Sequence, residues 1–114
     1  MSIGLNKKER DMTAFNDVTI VKKANIYFDG KVTSRTVKFA DDTVKTLGFM
    51  QVGEYTFGTD TKEIMEILAG ELEVLLPESD QWQVINAGDS FEVPANVKFK
   101  VNIKAATDYC CSYL

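Results

Sequence analysis

Glu63-Ile64-Met65-Glu66-Ile67-Leu68-Ala69-Gly70, continuing as Glu71-Leu72-Glu73-Val74-Leu75-Leu76, is the stretch whose reading decides the fold. Two apolar runs flank a single glycine. Ile64, Leu68, Leu72, Val74 and Leu76 fall on one parity, and Met65, Ile67 and Leu75 on the other. A strand with one wet face alternates more cleanly than this. The mixed pattern therefore reads as a strand pair buried on both sides, one face lining an interior and the other meeting a second subunit. A two-fold homodimer is the expected assembly, since such dimers are the commonest oligomers.

Outward from this stretch, the chain is a series of short apolar runs separated by turn signals. Asp29-Gly30 is a hairpin signal. Strands are expected at Lys31–Phe39, Thr43–Val52 and Tyr55–Thr59, on either side of Gly70, and at Trp82–Ile85, Ser90–Val93, Val97–Ile103 and Thr107–Leu114. No stretch after residue 24 holds a 3.6-residue apolar period for three turns. Nine or so short strands with no βαβ unit predict an all-β antiparallel double-layer barrel. Residues 22–114 form that domain. Residues 1–21 read as an N-terminal extension, either mobile or adding an edge strand at Val18–Val21, with a short helix possible within Met1–Met12.

The totals agree with one soluble domain: 114 residues, 45% hydrophobic and 26% charged. A net charge of -4 argues against a nucleic-acid polymer as partner. No run approaches the roughly 20 apolar residues of a membrane span, so no membrane partner is expected. The polar start Met1–Asp11 has no apolar core of a secretory signal. Cys110 and Cys111 are adjacent, and alternation sends them to opposite faces of a strand. Unpaired cysteines fit a reducing cytoplasm, the expected location.

Glu63, six residues, Gly70, then Gly88, five residues, Pro94, resembles the skeleton of a cupin barrel (RmlC-like jelly roll). Cupins usually carry three histidines on that skeleton and bind a metal with them. This chain has no histidine. The four ligand positions of the pattern fall on Phe57, Thr59, Glu63 and Phe99. One carboxylate and one hydroxyl among phenyl rings make a poor transition-metal site. The container is kept and the usual contents are changed.

A closer resemblance is carried by Tyr27-Phe28-Asp29-Gly30-Lys31-Val32, Val52-Gly53-Glu54-Tyr55-Thr56-Phe57, Leu75-Leu76-Pro77 with Trp82-Gln83-Val84, Phe91-Glu92-Val93-Pro94, and Tyr109-Cys110-Cys111-Ser112-Tyr113-Leu114. On these the chain, from about Asn25 onward, resembles the pyrimidine/purine nucleoside phosphorylases, small bacterial cupins. The resemblance implies phosphate-dependent cleavage of purine and pyrimidine nucleosides to free base and ribose 1-phosphate. That activity is a metal-independent pentosyltransferase reaction. Its partners would be nucleosides and phosphate, with no cofactor beyond phosphate as co-substrate. The rival reading is a non-catalytic cupin that binds a sugar or nucleotide.

The residues fit such chemistry. Cleavage passes through an oxocarbenium-like state, which needs an anchored phosphate, a counter-charge near the ribose and a departing base. Phe57 and Phe99 suit a base platform that reads no sequence of polar atoms. Glu63 and Thr59 are the catalytic candidates, Glu63 for the ribose and its developing charge, Thr59 as a donor to phosphate. Tyr55 shares the parity of Phe57 and Thr59 and would reach ribose or base. Lys31 and Arg35 share parity with Val37 and Phe39 and are the leading cations for phosphate. Lys45, Lys62, Lys98 and Lys100, with backbone N–H groups near Gly53 and Thr59, are further candidates. Lys98, Lys100 and Lys104 alternate with Phe99, Val101 and Ile103 and read as a solvated face. Turnover with and without EDTA tests the altered ligand set: equal rates are expected, and strong inhibition would contradict it.

Overall fold

The computed structural model describes residues 13–114. Residues 1–12, where a mobile stretch or a short helix was expected, lie outside the described residues. Nine strands are described: β1 Thr19–Ile20, β2 Asn25–Tyr27, β3 Val32–Lys38, β4 Val44–Met50, β5 Gly53–Gly58, β6 Glu63–Leu75, β7 Gln83–Asn86, β8 Ser90–Val93 and β9 Lys98–Tyr113. All pairings are antiparallel. The chain is the all-β cupin barrel that the sequence implies. β1 is a two-residue strand paired to β3 through Thr19 opposite Lys38.

Two long strands organise everything else. β6 has 13 residues and β9 has 16, and they pair along almost their whole length. The first half of β9 lies between β5 and the end of β6, to which β7 is added. The second half lies between β4 and the start of β6, to which β8 is added. The same two strands thus belong to both layers. β3 continues the second layer beyond β4 and carries β1 and β2.

The sequence suggested breaks at Gly70 and near Ala105. Both strands instead run through, with register shifts between Ile67 and Ala69, Ala69 and Glu71, and Glu71 and Leu72. Such irregularities bend a strand without ending its pairing. They also explain the mixed parity of β6. Met65 and Ile67 point inward before the bend, and Leu72 and Val74 point inward after it. Much of the apolar pattern is therefore one inward face that changes parity, because the side-chain period is 2 and an irregularity shifts it. Leu68, off that face, is 49% exposed.

The bend requires glycine. Gly70 has φ 97, and a Cβ there would lie 2.5 Å from the Ala106 carbonyl oxygen and 2.5 Å from Thr107 Oγ1. Gly88 has φ 95, yet a Cβ would meet nothing within 4 Å among the described residues.

The core joins the inward faces of both layers. Val32, Met50, Met65 and Ile67 meet Leu72, Val74, Val101 and Ile103, with Phe91, Val93 and Phe99 among them. Alternation at the end of β9 splits the cysteines as expected: Cys111 belongs to the core, while Cys110 sits on the other face beside Glu66 and Lys45. Both thiols are free.

Gly70→Ala and Gly88→Ala separate strain from collision. The positive φ costs each variant about 1–2 kcal/mol. Crowding against the β9 backbone should cost Gly70→Ala about 1–3 kcal/mol more. Denaturant unfolding reads the difference, and equal losses would contradict the close approach.

Candidate functional site

One end of the barrel holds a cavity of about 270 Å³, just below the roughly 300–1,000 Å³ of drug-sized ligand pockets. Its walls differ in chemistry. Phe57 at the end of β5 and Phe99 at the start of β9 are cross-strand partners, and their ring centroids lie 5.7 Å apart at 32°. Phe99 also meets Phe91 at 6.3 Å, edge to face. Phe99 is buried and Phe57 half-buried, so Phe57 is the ring more open to a ligand.

The opposite wall is polar. Glu63, the first residue of β6, pairs with Val93 on one side and Tyr113 on the other. Tyr109, Cys111 and Tyr113 leave β9 on one parity and all line the cavity with Glu63 and Ser34. The Cys111 thiol donates to Glu63 Oε1 at 3.4 Å. The Tyr113 hydroxyl is 3.1 Å from Thr46 Oγ1. Burial raises the Glu63 carboxyl above its ordinary pKa, a thiol hydrogen bond from Cys111 partly offsets this, and the Asp60 charge adds to it. Burial also raises Tyr109, Cys111 and Tyr113, so these remain protonated donors. Cys110 is pushed up to about 11, chiefly by burial.

The residues expected at the site separate into two groups. Phe57, Phe99 and Glu63 come together around the cavity. Thr59, Tyr55, Lys31 and Arg35 do not line it. Thr59 is buried, its hydroxyl donates to the Pro94 carbonyl at 2.6 Å, and it accepts from the Val97 N–H at 3.1 Å. It clamps the end of β5 to the loop before β9. Tyr55 is in the core, and its hydroxyl donates to the Gln51 carbonyl at 2.8 Å. Arg35 and Lys31 are exposed. The inward residues of β3 are Val32 and Ser34, so Arg35 takes the outer face opposite Leu47, and its Nε–H donates to the Lys22 carbonyl at 3.3 Å. The parity shared with Val37 and Phe39 is real, but it is not the parity that lines the cavity: Val37 is buried apart from the main core cluster, and Lys31 and Arg35 are exposed.

Of the other cations, Lys62 pairs with Glu92 at 3.2 Å. Lys98, Lys100 and Lys104 are exposed, as the alternation implies, and Lys104 pairs with Glu73 at 3.3 Å. Among the described residues no lysine or arginine lines the cavity, whereas Asp60 and Glu63 do. The cupin ligand positions, Phe57, Thr59, Glu63 and Phe99, do not fit a metal. Among the described residues no cluster of three or more carboxylates or thiols is placed to hold one.

Sequence reasoning missed Ser34, Tyr109, Cys111 and Tyr113. The period-two run Tyr109, Cys111, Tyr113 was the available signal. It places three polarisable or hydroxylic side chains on one face, opposite in chemistry to the aromatic wall.

Comparison with known proteins adds an independent line. The family described as pyrimidine/purine nucleoside phosphorylase matches residues 22–113. A protein of that name from Hydrogenovibrio crunogenus is 59% identical over 90% of this chain and 99% of its own length. One from Syntrophotalea carbinolica is 61% identical over the same shares. Among solved structures, a protein of unknown function from an Acinetobacter species superposes with TM-score 0.87 at 40% identity, covering 90% of this chain and 99% of that one. An RmlC-like cupin from Shewanella frigidimarina superposes with TM-score 0.64 at 18% identity, covering 91% and 90%, which supports the fold alone.

The buried carboxyl has a thermodynamic consequence. Its ordinary pKa is 4.5 and its folded value is higher, so the folded state binds the proton more tightly. Stability is full below about 4.5 and declines as pH rises through the folded value. Glu63→Gln should therefore melt at a higher temperature than the parent at pH 7, with the gap closing in acid. A variant that melts lower at pH 7 and shows no pH-dependent gap would contradict the desolvation of Glu63.

Proposed function

Because the chain belongs to the pyrimidine/purine nucleoside phosphorylase family, we propose that it cleaves purine and pyrimidine nucleosides with phosphate in the cavity bounded by Phe57 and Glu63. A phosphate oxygen forms a bond to C1′ of the ribose. The C1′–N bond breaks, its electron pair leaves with the base, and the base takes up the proton that the attacking hydrogen phosphate gives up. The products are free base and ribose 1-phosphate. This is a pentosyl transfer to phosphate, in which phosphate is co-substrate rather than cofactor.

The single observation that carries this reading is the two-sided cavity. Phe57 and Phe99 offer π-faces that accept any base, which suits broad specificity. Glu63 faces them from the polar wall. Its charge would oppose the positive charge that develops on the ribose. The half-buried setting raises its value, because fixed charges act more strongly where water is partly excluded. Tyr109, Tyr113 and Ser34 supply neutral hydroxyl donors beside it. No step in the scheme needs a metal, and the ligand positions offer none a home.

The same wall favours a second reading at one point. No cation of the described residues lines it, and a non-catalytic cupin binding a neutral sugar or nucleoside would need none. The reading also extends to the setting of the protein. Free, adjacent cysteines support a reducing cytoplasm. Exposed Leu47, Phe49 and Leu68 on the outer faces of β4 and β6 support a homodimer.

Purified protein incubated with uridine or inosine should release uracil or hypoxanthine only when phosphate is present. Release in neither condition, with folded protein that still binds nucleoside, would favour the binding module. Glu63→Gln should lower kcat by about 100-fold or more. Near-normal turnover would remove Glu63 from the reaction.

A further inference from the structure

One aromatic residue of the cavity wall is neither buried nor followed by an ordinary turn. Tyr27 ends β2, a strand of three residues that, among the described residues, pairs only with β3. It lines the cavity, yet it is 45% exposed. Phe57 and Phe99 line the same cavity from the core side. Tyr27 therefore stands at the mouth.

The turn that follows is strained. Phe28, Asp29 and Gly30 have φ of 51, 55 and 89. A bulky residue at positive φ is an outlier, and such strain persists only where surrounding contacts over-determine it. Here the Lys31 N–H donates to the Phe28 carbonyl at 3.1 Å. The Phe28 ring packs 4.9 Å from Tyr55 and 5.5 Å, edge on, from Phe57. A glycine at position 28 would take the same backbone without strain. The phenyl ring instead fastens the hairpin to the aromatic stack and fixes where Tyr27 projects. Tyr27 is the register partner of Val32, an inward residue of β3, so its side chain leaves β2 on the cavity side.

We propose that Tyr27 closes the mouth over a bound nucleobase, its ring stacking on the outer face of a base whose inner face rests on Phe57. Phe28 is a positioning residue that holds Tyr27 there. The inference rests on the nucleoside reading of the cavity and adds a ligand-contacting residue to it. Both residues lie outside the four cupin ligand positions, and neither is buried in the core.

The test combines steady-state kinetics on inosine and uridine with calorimetric binding of the same nucleosides in the absence of phosphate. Tyr27→Leu keeps bulk and removes the ring. It should raise KM and Kd by about 5–150-fold, the range for one lost base stack, with kcat changed by less than about threefold. Tyr27→Phe, which keeps the ring, should recover most of that loss. Phe28→Gly should raise KM without lowering the melting temperature, since the strain it relieves offsets the packing it loses. Unchanged KM and Kd in Tyr27→Leu, with an active wild type, overturn the role of Tyr27 and leave the phosphorylase reading intact. A wild type that binds nucleosides without cleaving them overturns that reading, and the Kd comparison still decides Tyr27. A wild type that does neither overturns both.

Discussion

The continuous pairing of β6 with β9 through the bend at Gly70 is the constraint on which the rest depends. Both strands serve both layers, so the barrel is closed by strands that turn a corner without losing their partner. At the corner the backbones approach so closely that the Ala106 carbonyl fills the space of a side chain. The register shifts that make the corner also change which parity faces inward. Met65 and Ile67 on one side and Leu72 and Val74 on the other can then share one core. The start of β6 and the end of β9 emerge at the open end, where Glu63 meets Cys111 and Tyr113.

The site follows from that convergence. Two strand ends supply a polar wall, and the cross-strand pair Phe57 and Phe99 supplies an apolar one. A half-buried carboxylate is thermodynamically uncomfortable, and burial outweighs the single thiol hydrogen bond that supports it. Such a cost is tolerated at functional sites, where a group is kept for what it does in the reaction rather than for stability. Neutral donors around it, held protonated by burial, allow hydrogen bonding to a sugar without adding charge.

Much of this was legible in the sequence, for definable reasons. Turn residues and short apolar runs gave the number and type of strands, because glycine, proline and aspartate mark where an antiparallel chain reverses. The spacing from Glu63 to Gly70 and from Gly88 to Pro94 pointed to the barrel, and it brought Phe57, Phe99 and Glu63 to one cavity. Parity arguments failed where they were carried too far. Lys31 and Arg35 share parity with Val37 and Phe39, but alternation alone does not say which parity lines the cavity, and on β3 it is that of Ser34. On β6, Gly70 was visible in the sequence, but nothing in the pattern said that it bends one strand and switches its inward parity rather than separating two strands. Thr59 and Tyr55 have the right chemistry and nearly the right place, but their hydroxyls already serve backbone carbonyls of the fold. Tyr109 and Tyr113 were visible as alternation and became meaningful only when β9 was seen to end beside Glu63.

The central claim is that a phosphate oxygen, not water, takes the place of the base at C1′ in this cavity. Cleavage of inosine or uridine with phosphate labelled by oxygen-18 at all positions tests it most directly. Mass spectrometry of the sugar product should show ribose 1-phosphate carrying the full label, including the oxygen bonded to C1. Free ribose bearing an oxygen from unlabelled water would contradict the claim and make the protein a hydrolase.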